Sequence, residues 1–127
     1  MDGLVILETL SKTYKSVVMV TANHEKRLLK IIQDKFADHP EVIDILKPVS
    51  NTLRDMANKF PNIITTNSWW ARIGDTIFSH GDWYCKTPTK TSQNSYEYFI
   101  TEGIDFGAIV NGHTHHMSMI PYKHKWL

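Results

Sequence analysis

The chain has 127 residues, 42% of them hydrophobic, and a formal net charge of +1; this length defaults to a single domain over residues 1–127, and the charge excludes a basic face built for nucleic acid. Its one cysteine, Cys85, excludes an internal disulfide and fits a reducing, cytoplasmic setting. The longest apolar runs, 4–7 and 17–20, are far too short to span a bilayer, and Asp2 and Gly3 stand where a signal peptide would be basic, so no membrane partner is expected.

Residues 4–15 read as a helix, with Leu4, Leu7 and Leu10 at helical spacing and Glu8 and Lys12 as a favourable i,i+4 pair. Residues 17–21 form a β-branched run without polar alternation, the pattern of a buried strand. A second helix is expected over 24–36, ended by Asp38-His39-Pro40, and further helices over 41–47 and 50–60. A β region begins at 63–66, and the runs 69–73 and 76–79 flank Gly74-Asp75 as a hairpin. Residues 82–93 read as a polar loop, followed by a helix over 92–102 with Tyr96, Phe99 and Ile100 on its inner face and Gly103 as C-cap. A buried strand is expected over 106–110, then a strand or hairpin arm over 117–127, interrupted at Pro121. The order of helices, apolar strands and polar loops is that of an α/β domain.

Three histidine-bearing segments follow the apolar runs: Thr21-Ala22-Asn23-His24-Glu25, Ser79-His80-Gly81-Asp82 and Asn111-Gly112-His113-Thr114-His115-His116. Together they offer neutral imidazoles and an amide oxygen, a donor set suited to borderline divalent metals. Taken singly, each has an ordinary reading: an Asn-His turn, a satisfied histidine at a strand end, a polar loop. His39, His116 and His124 are expected at the surface or behind any ligands. In α/β folds, sites assemble in the loops at strand C-termini, where all three segments fall.

Asn23-His24-Glu25, His80-Gly81 and Gly112-His113-Thr114-His115 resemble the last three signature blocks of the calcineurin-like metallophosphoesterase family, in the family's order. The likeness runs from residue 17 to residue 115. It implies a partial metallophosphoesterase-type β-sandwich with flanking helices, lacking the first strands. It also implies that Asn23, His80 and His113 bind one metal and that His115 reaches a second. By the same resemblance His24 binds no metal but protonates the leaving group, Glu25 orients its neighbours, and Gly112 lets the backbone approach the site closely.

The chain departs from the family pattern in its carboxylates. No Asp-x-His precedes Asn23, and Asp2 matches only the last Asp of a Gly-Asp-x-x-Asp block, the one that braces the catalytic histidine. The chain is therefore expected to begin just inside the family domain, with the missing Asp and His ligands coming from an upstream segment or a partner chain. The complete family site holds two ions (manganese, zinc or iron); one weak site is expected here, because the anionic bridge is absent. Ala22 stands where the family has Gly, and a positive φ there would strain it. The runs 17–21 and 106–110 are expected to leave an uncovered sheet edge.

The resulting expectation is a metal-dependent phosphoester hydrolase of phosphodiesterase or nuclease-like type, incomplete as an isolated chain. Nucleic acid or nucleotide ranks first as substrate, by likeness to the nuclease and phage-type branches. Trp83, Tyr84 and Lys86 could meet a base and a phosphate, or form a solvated loop. The alternative is a non-catalytic scaffold or binding module with the same fold. The four tryptophans are expected mainly in packing.

Overall fold

A computed structural model describes residues 3–48, 52–80, 85, 87, 89–112 and 119–127, and for residues 23–26 and 52 the backbone alone. The chain divides into two compact units, Met1–Asn67 and Ser68–Leu127.

The first unit contains α1 (Gly3–Thr13), β1 (Val17–Met19), α2 (Asn23–Lys35), α3 (Pro40–Leu46), α4 (Thr52–Ala57) and β2 (Ile63–Thr65). Strands β1 and β2 pair in parallel, Val17 opposite Ile63 and Met19 opposite Thr65. Leu7 of α1, Ala57 of α4 and Ile63 of β2 form the core, with Val17, Met19, Met56 and Phe60 packed around them. The Glu8–Lys12 pair is present at 2.6 Å. Asn62 ties the end of α1 to the start of β2, its Nδ2 donating to the carbonyls of Ser11 and Tyr14, each at 2.8 Å. Those carbonyls belong to the last turn, where a helix lacks its own donors.

The second unit contains β3 (Trp70–Ile73), β4 (Thr76–Ser79), α5 (Lys90–Thr101), β5 (Ala108–Asn111), β6 (Pro121–Tyr122) and β7 (Lys125–Trp126). They form a mixed sheet in the order β3-β4-β5-β7-β6. The β3–β4 hairpin turns at Gly74, with φ of 60°. Strands β4 and β5 are parallel, Ile77 opposite Ile109 and Ser79 opposite Asn111, with α5 as the crossover between them. The β6–β7 hairpin closes through Lys123 and His124, both at positive φ, as a two-residue turn requires when its twist matches the strands. Ile77, Tyr96, Phe99, Phe106, Ile109 and Leu127 form the core. Trp69 stacks on Phe99 at 5.3 Å, and Trp70 meets the same ring edge-on.

The architecture is therefore mixed α/β, with a mixed sheet and flanking helices. Four local expectations are corrected. On α5 the inner face is Thr91, Ser95, Tyr96 and Phe99, while Ile100 is exposed; the i, i+4, i+8 row from Thr91 to Phe99 faces the sheet, and the next residue rotates about 100° away. Pro121 does not interrupt the last arm but lies in edge strand β6, where a missing N–H is tolerated. Strand β5 has no open edge, because β4 and β7 flank it. Ala22 is unstrained: among the described residues only Thr89, Lys123 and His124 are non-glycines at positive φ.

Gly103 caps α5 as expected, with φ of 71° and the Ile104 N–H donating to the Phe99 carbonyl at 2.9 Å. No helix among the described residues is long and apolar enough to cross a membrane.

Candidate functional site

In the second unit the C-terminal ends of the parallel strands β4 and β5 carry the starts of two histidine segments. Ser79 and Asn111 are register partners, so His80 and Gly112 follow them side by side. The His80 N–H donates to the Trp69 carbonyl at 2.8 Å, and the Gly112 N–H donates to the Ser79 carbonyl at 2.9 Å. The His80 backbone is thus held from both neighbouring strands. A Cβ on Gly112 would lie 3.2 Å from His80 Cδ2 and 3.7 Å from the Ser79 carbonyl oxygen. Glycine is needed here for close approach rather than for a positive φ.

Beneath these ends runs a chain of partly buried polar contacts. Asn111 Nδ2 donates to Ser95 Oγ at 2.7 Å, Ser95 Oγ donates to the Thr91 carbonyl at 3.1 Å, and the Cys85 N–H donates to Thr91 Oγ1 at 3.2 Å. Thr91 and Ser95 are fully buried. The chain of contacts links Cys85, five residues past His80, through α5 to Asn111, the residue before Gly112. Ser79 Oγ and Asn111 Oδ1 are buried, with no hydrogen-bond partner among the described residues. Buried polar atoms are normally satisfied. Hydrogen bonds from the Thr87 backbone and side chain, with Lys90 nearby, hold the Cys85 thiol below the usual thiol range.

In the first unit Asn23, His24 and Glu25 form the first turn of α2, directly after β1. The turn between them is tied down by a side chain from α4. Arg54 Nη2 donates to Thr21 Oγ1 at 2.8 Å and to the Thr66 carbonyl at 2.5 Å, and Nη1 donates to Asn67 Oδ1. Thr21 Oγ1 itself donates to the Thr66 carbonyl at 2.9 Å.

Of the residues expected to build a site, His80 and Gly112 are brought together. Asn23, His24 and Glu25 are placed by their backbone only, and Asp2, His113, His115, His116, Trp83, Tyr84 and Lys86 lie outside the described residues. His39 and His124 are exposed, as expected. Among the described residues, no three His, Cys, Asp or Glu side chains converge to hold a metal ion. Sequence reasoning missed Ser95, the Asn111 side chain and Arg54. Ser95 beside Tyr96 on a helix's inner face was a legible signal, whereas nothing local to Arg54 announces its partners.

The chain matches no protein-family model, no curated protein and no solved structure. The functional reading is thus carried by the three histidine blocks and by the local geometry just described.

Proposed function

We propose that this protein is a metal-dependent phosphoester hydrolase of the calcineurin-like metallophosphoesterase kind, acting in the cytoplasm on a phosphodiester of nucleic acid or nucleotide. One observation carries the reading: the second and third histidine blocks start side by side on parallel strands, with His80 packed on Gly112 where any larger residue would press on the imidazole.

The donor types of the histidine blocks, the imidazoles of His80, His113 and His115 and the amide oxygen of Asn23, are of the kind that suits a borderline divalent ion such as manganese, zinc or iron. The carboxylate ligands of the family's complete site, for which the resemblance gives no match in the three blocks, would come from outside them. When bound, such an ion supplies charge compensation at the phosphoryl oxygens and a more acidic water. His24 would deliver a proton from its imidazole to the leaving oxygen, a role suited to a group whose ordinary pKa is about 6.5. Asp2 would brace that imidazole, Glu25 would orient its neighbours, and Gly112 would let the backbone approach the site closely.

The test is Mn2+-dependent hydrolysis of bis-p-nitrophenyl phosphate by the wild-type chain and by His24→Ala, each with and without a segment or partner that supplies the carboxylates. Turnover that falls at least about 100-fold in His24→Ala, with Mn2+ binding retained, supports a general acid. Mn2+ binding without any turnover, in the presence of a segment or partner that supplies the carboxylates, would instead favour a scaffold with the same fold.

A further inference from the structure

We infer that Arg54 is a positioning residue, whose guanidinium locks the turn carrying Asn23 and His24 at the C-terminal ends of β1 and β2. Its functional consequence rests on the hydrolase reading; its structural part does not.

The guanidinium reaches from α4 to the segments that leave both parallel strands. It donates to Thr21 Oγ1 after β1, and to the Thr66 carbonyl and Asn67 Oδ1 after β2. Thr21 Oγ1 and the Thr66 N–H close the arrangement, donating to the Thr66 carbonyl at 2.9 Å and to the Met19 carbonyl at 3.0 Å. Every described partner of Arg54 is a neutral oxygen. Among the described residues no carboxylate pairs with the guanidinium. A planar guanidinium holds several acceptors at fixed angles, which a lysine ammonium on a flexible stem does not.

Thr21 is separated from Asn23 by Ala22 alone, and α2 starts at Asn23. Fixing Thr21 therefore fixes where the helix begins, and with it the first turn that bears Asn23, His24 and Glu25. Ligand and proton-donor placement tolerates little error; a displacement of about 1 Å can cost about 100-fold in rate.

The experiment compares wild type, Arg54→Ala, Arg54→Lys, Thr21→Val and the Arg54→Ala/Thr21→Val double variant. Three quantities are measured: backbone amide exchange over residues 21–25, Mn2+ affinity by titration, and kcat and KM for bis-p-nitrophenyl phosphate with Mn2+. Thr21→Val is nearly isosteric, exchanging the hydroxyl for a methyl, so it guards against a variant that fails to fold.

Arg54→Ala and Thr21→Val should each speed exchange in the turn and weaken Mn2+ by about tenfold. The double variant should lose less than the sum of the two single losses, because the Arg54–Thr21 contact is shared; it should still exceed Arg54→Ala, because Thr21 Oγ1 also donates to the Thr66 carbonyl. Arg54→Lys should restore only part of the loss, and the kinetic loss should fall on kcat rather than KM.

If Arg54→Ala weakens Mn2+ while Thr21→Val leaves exchange and affinity unchanged, the side chain does not work through the turn and the inference fails. Wild-type Mn2+ binding that neither variant alters also overturns it and leaves the hydrolase reading intact. A wild type that shows the exchange differences but binds no Mn2+, even in the presence of a segment or partner that supplies the carboxylates, defeats the hydrolase reading and leaves the turn lock standing.

Discussion

Gly112 is the residue on which the candidate site is most sensitive to a single atom. The space its absent side chain leaves is filled by the His80 ring, and the nearest carbon would sit 3.2 Å from an added Cβ. That contact is tighter than ordinary packing, so the ring must tilt or the strand ends must part. Gly112 is exposed, so Gly112→Ala is expected to cost less than the roughly 1–3 kcal/mol of an overpacked core. It should also move the His80 ring resonances in an NMR spectrum; unchanged resonances at full stability would mean that the contact is not filled in solution. His80 itself was legible in the sequence as a histidine at a strand end. The reason its neighbour must be glycine was not, since the clash is with a residue 32 positions away.

At the scale of elements, α5 does more than cover the sheet. Its buried row holds two small polar residues, Thr91 and Ser95, among the aromatic rings of Tyr96 and Phe99. In an apolar face such residues cost free energy unless hydrogen-bonded. Here they are bonded, to the Cys85 backbone on one side and the Asn111 side chain on the other. Ser95→Ala leaves the Asn111 amide without its acceptor beside a buried helix face. We expect a loss of about 1–3 kcal/mol, read as a lower denaturant midpoint at unchanged slope. Asn111→Ala in the same background should cost little more, because the pair is lost already. Full additivity of the two would show that they are not coupled. The existence of α5 could be read from spacing alone, but which of Ser95 and Ile100 faces inward depends on how the helix is rotated on the sheet. Contacts with β5 and Phe106 set that rotation.

For the whole molecule, the hydrolase reading predicts linkage between metal and folding. An ion that binds only the folded chain stabilises it by about 2.7 kcal/mol at a concentration of 100 times Kd. Thermal melts with added Mn2+ should therefore shift upward, return with chelator, and stay flat in His80→Ala. An equal shift in that variant would remove His80 from the ligand set. The sequence by itself determined the order of helices and strands, the β3–β4 hairpin, the Gly103 cap and the three histidine blocks at strand ends. These follow from local rules: the 3.6-residue and two-residue periods, the φ freedom of glycine, and the place of polar loops after apolar strands. Only the tertiary structure decided that β5 lies between β4 and β7, that Pro121 is in a strand, that Ala22 needs no positive φ, and that Arg54 reaches Thr21 and Thr66. Each of these depends on which distant segment supplies the partner group, and hydrogen-bond partners and sheet neighbours are chosen by the packed chain rather than by adjacent residues.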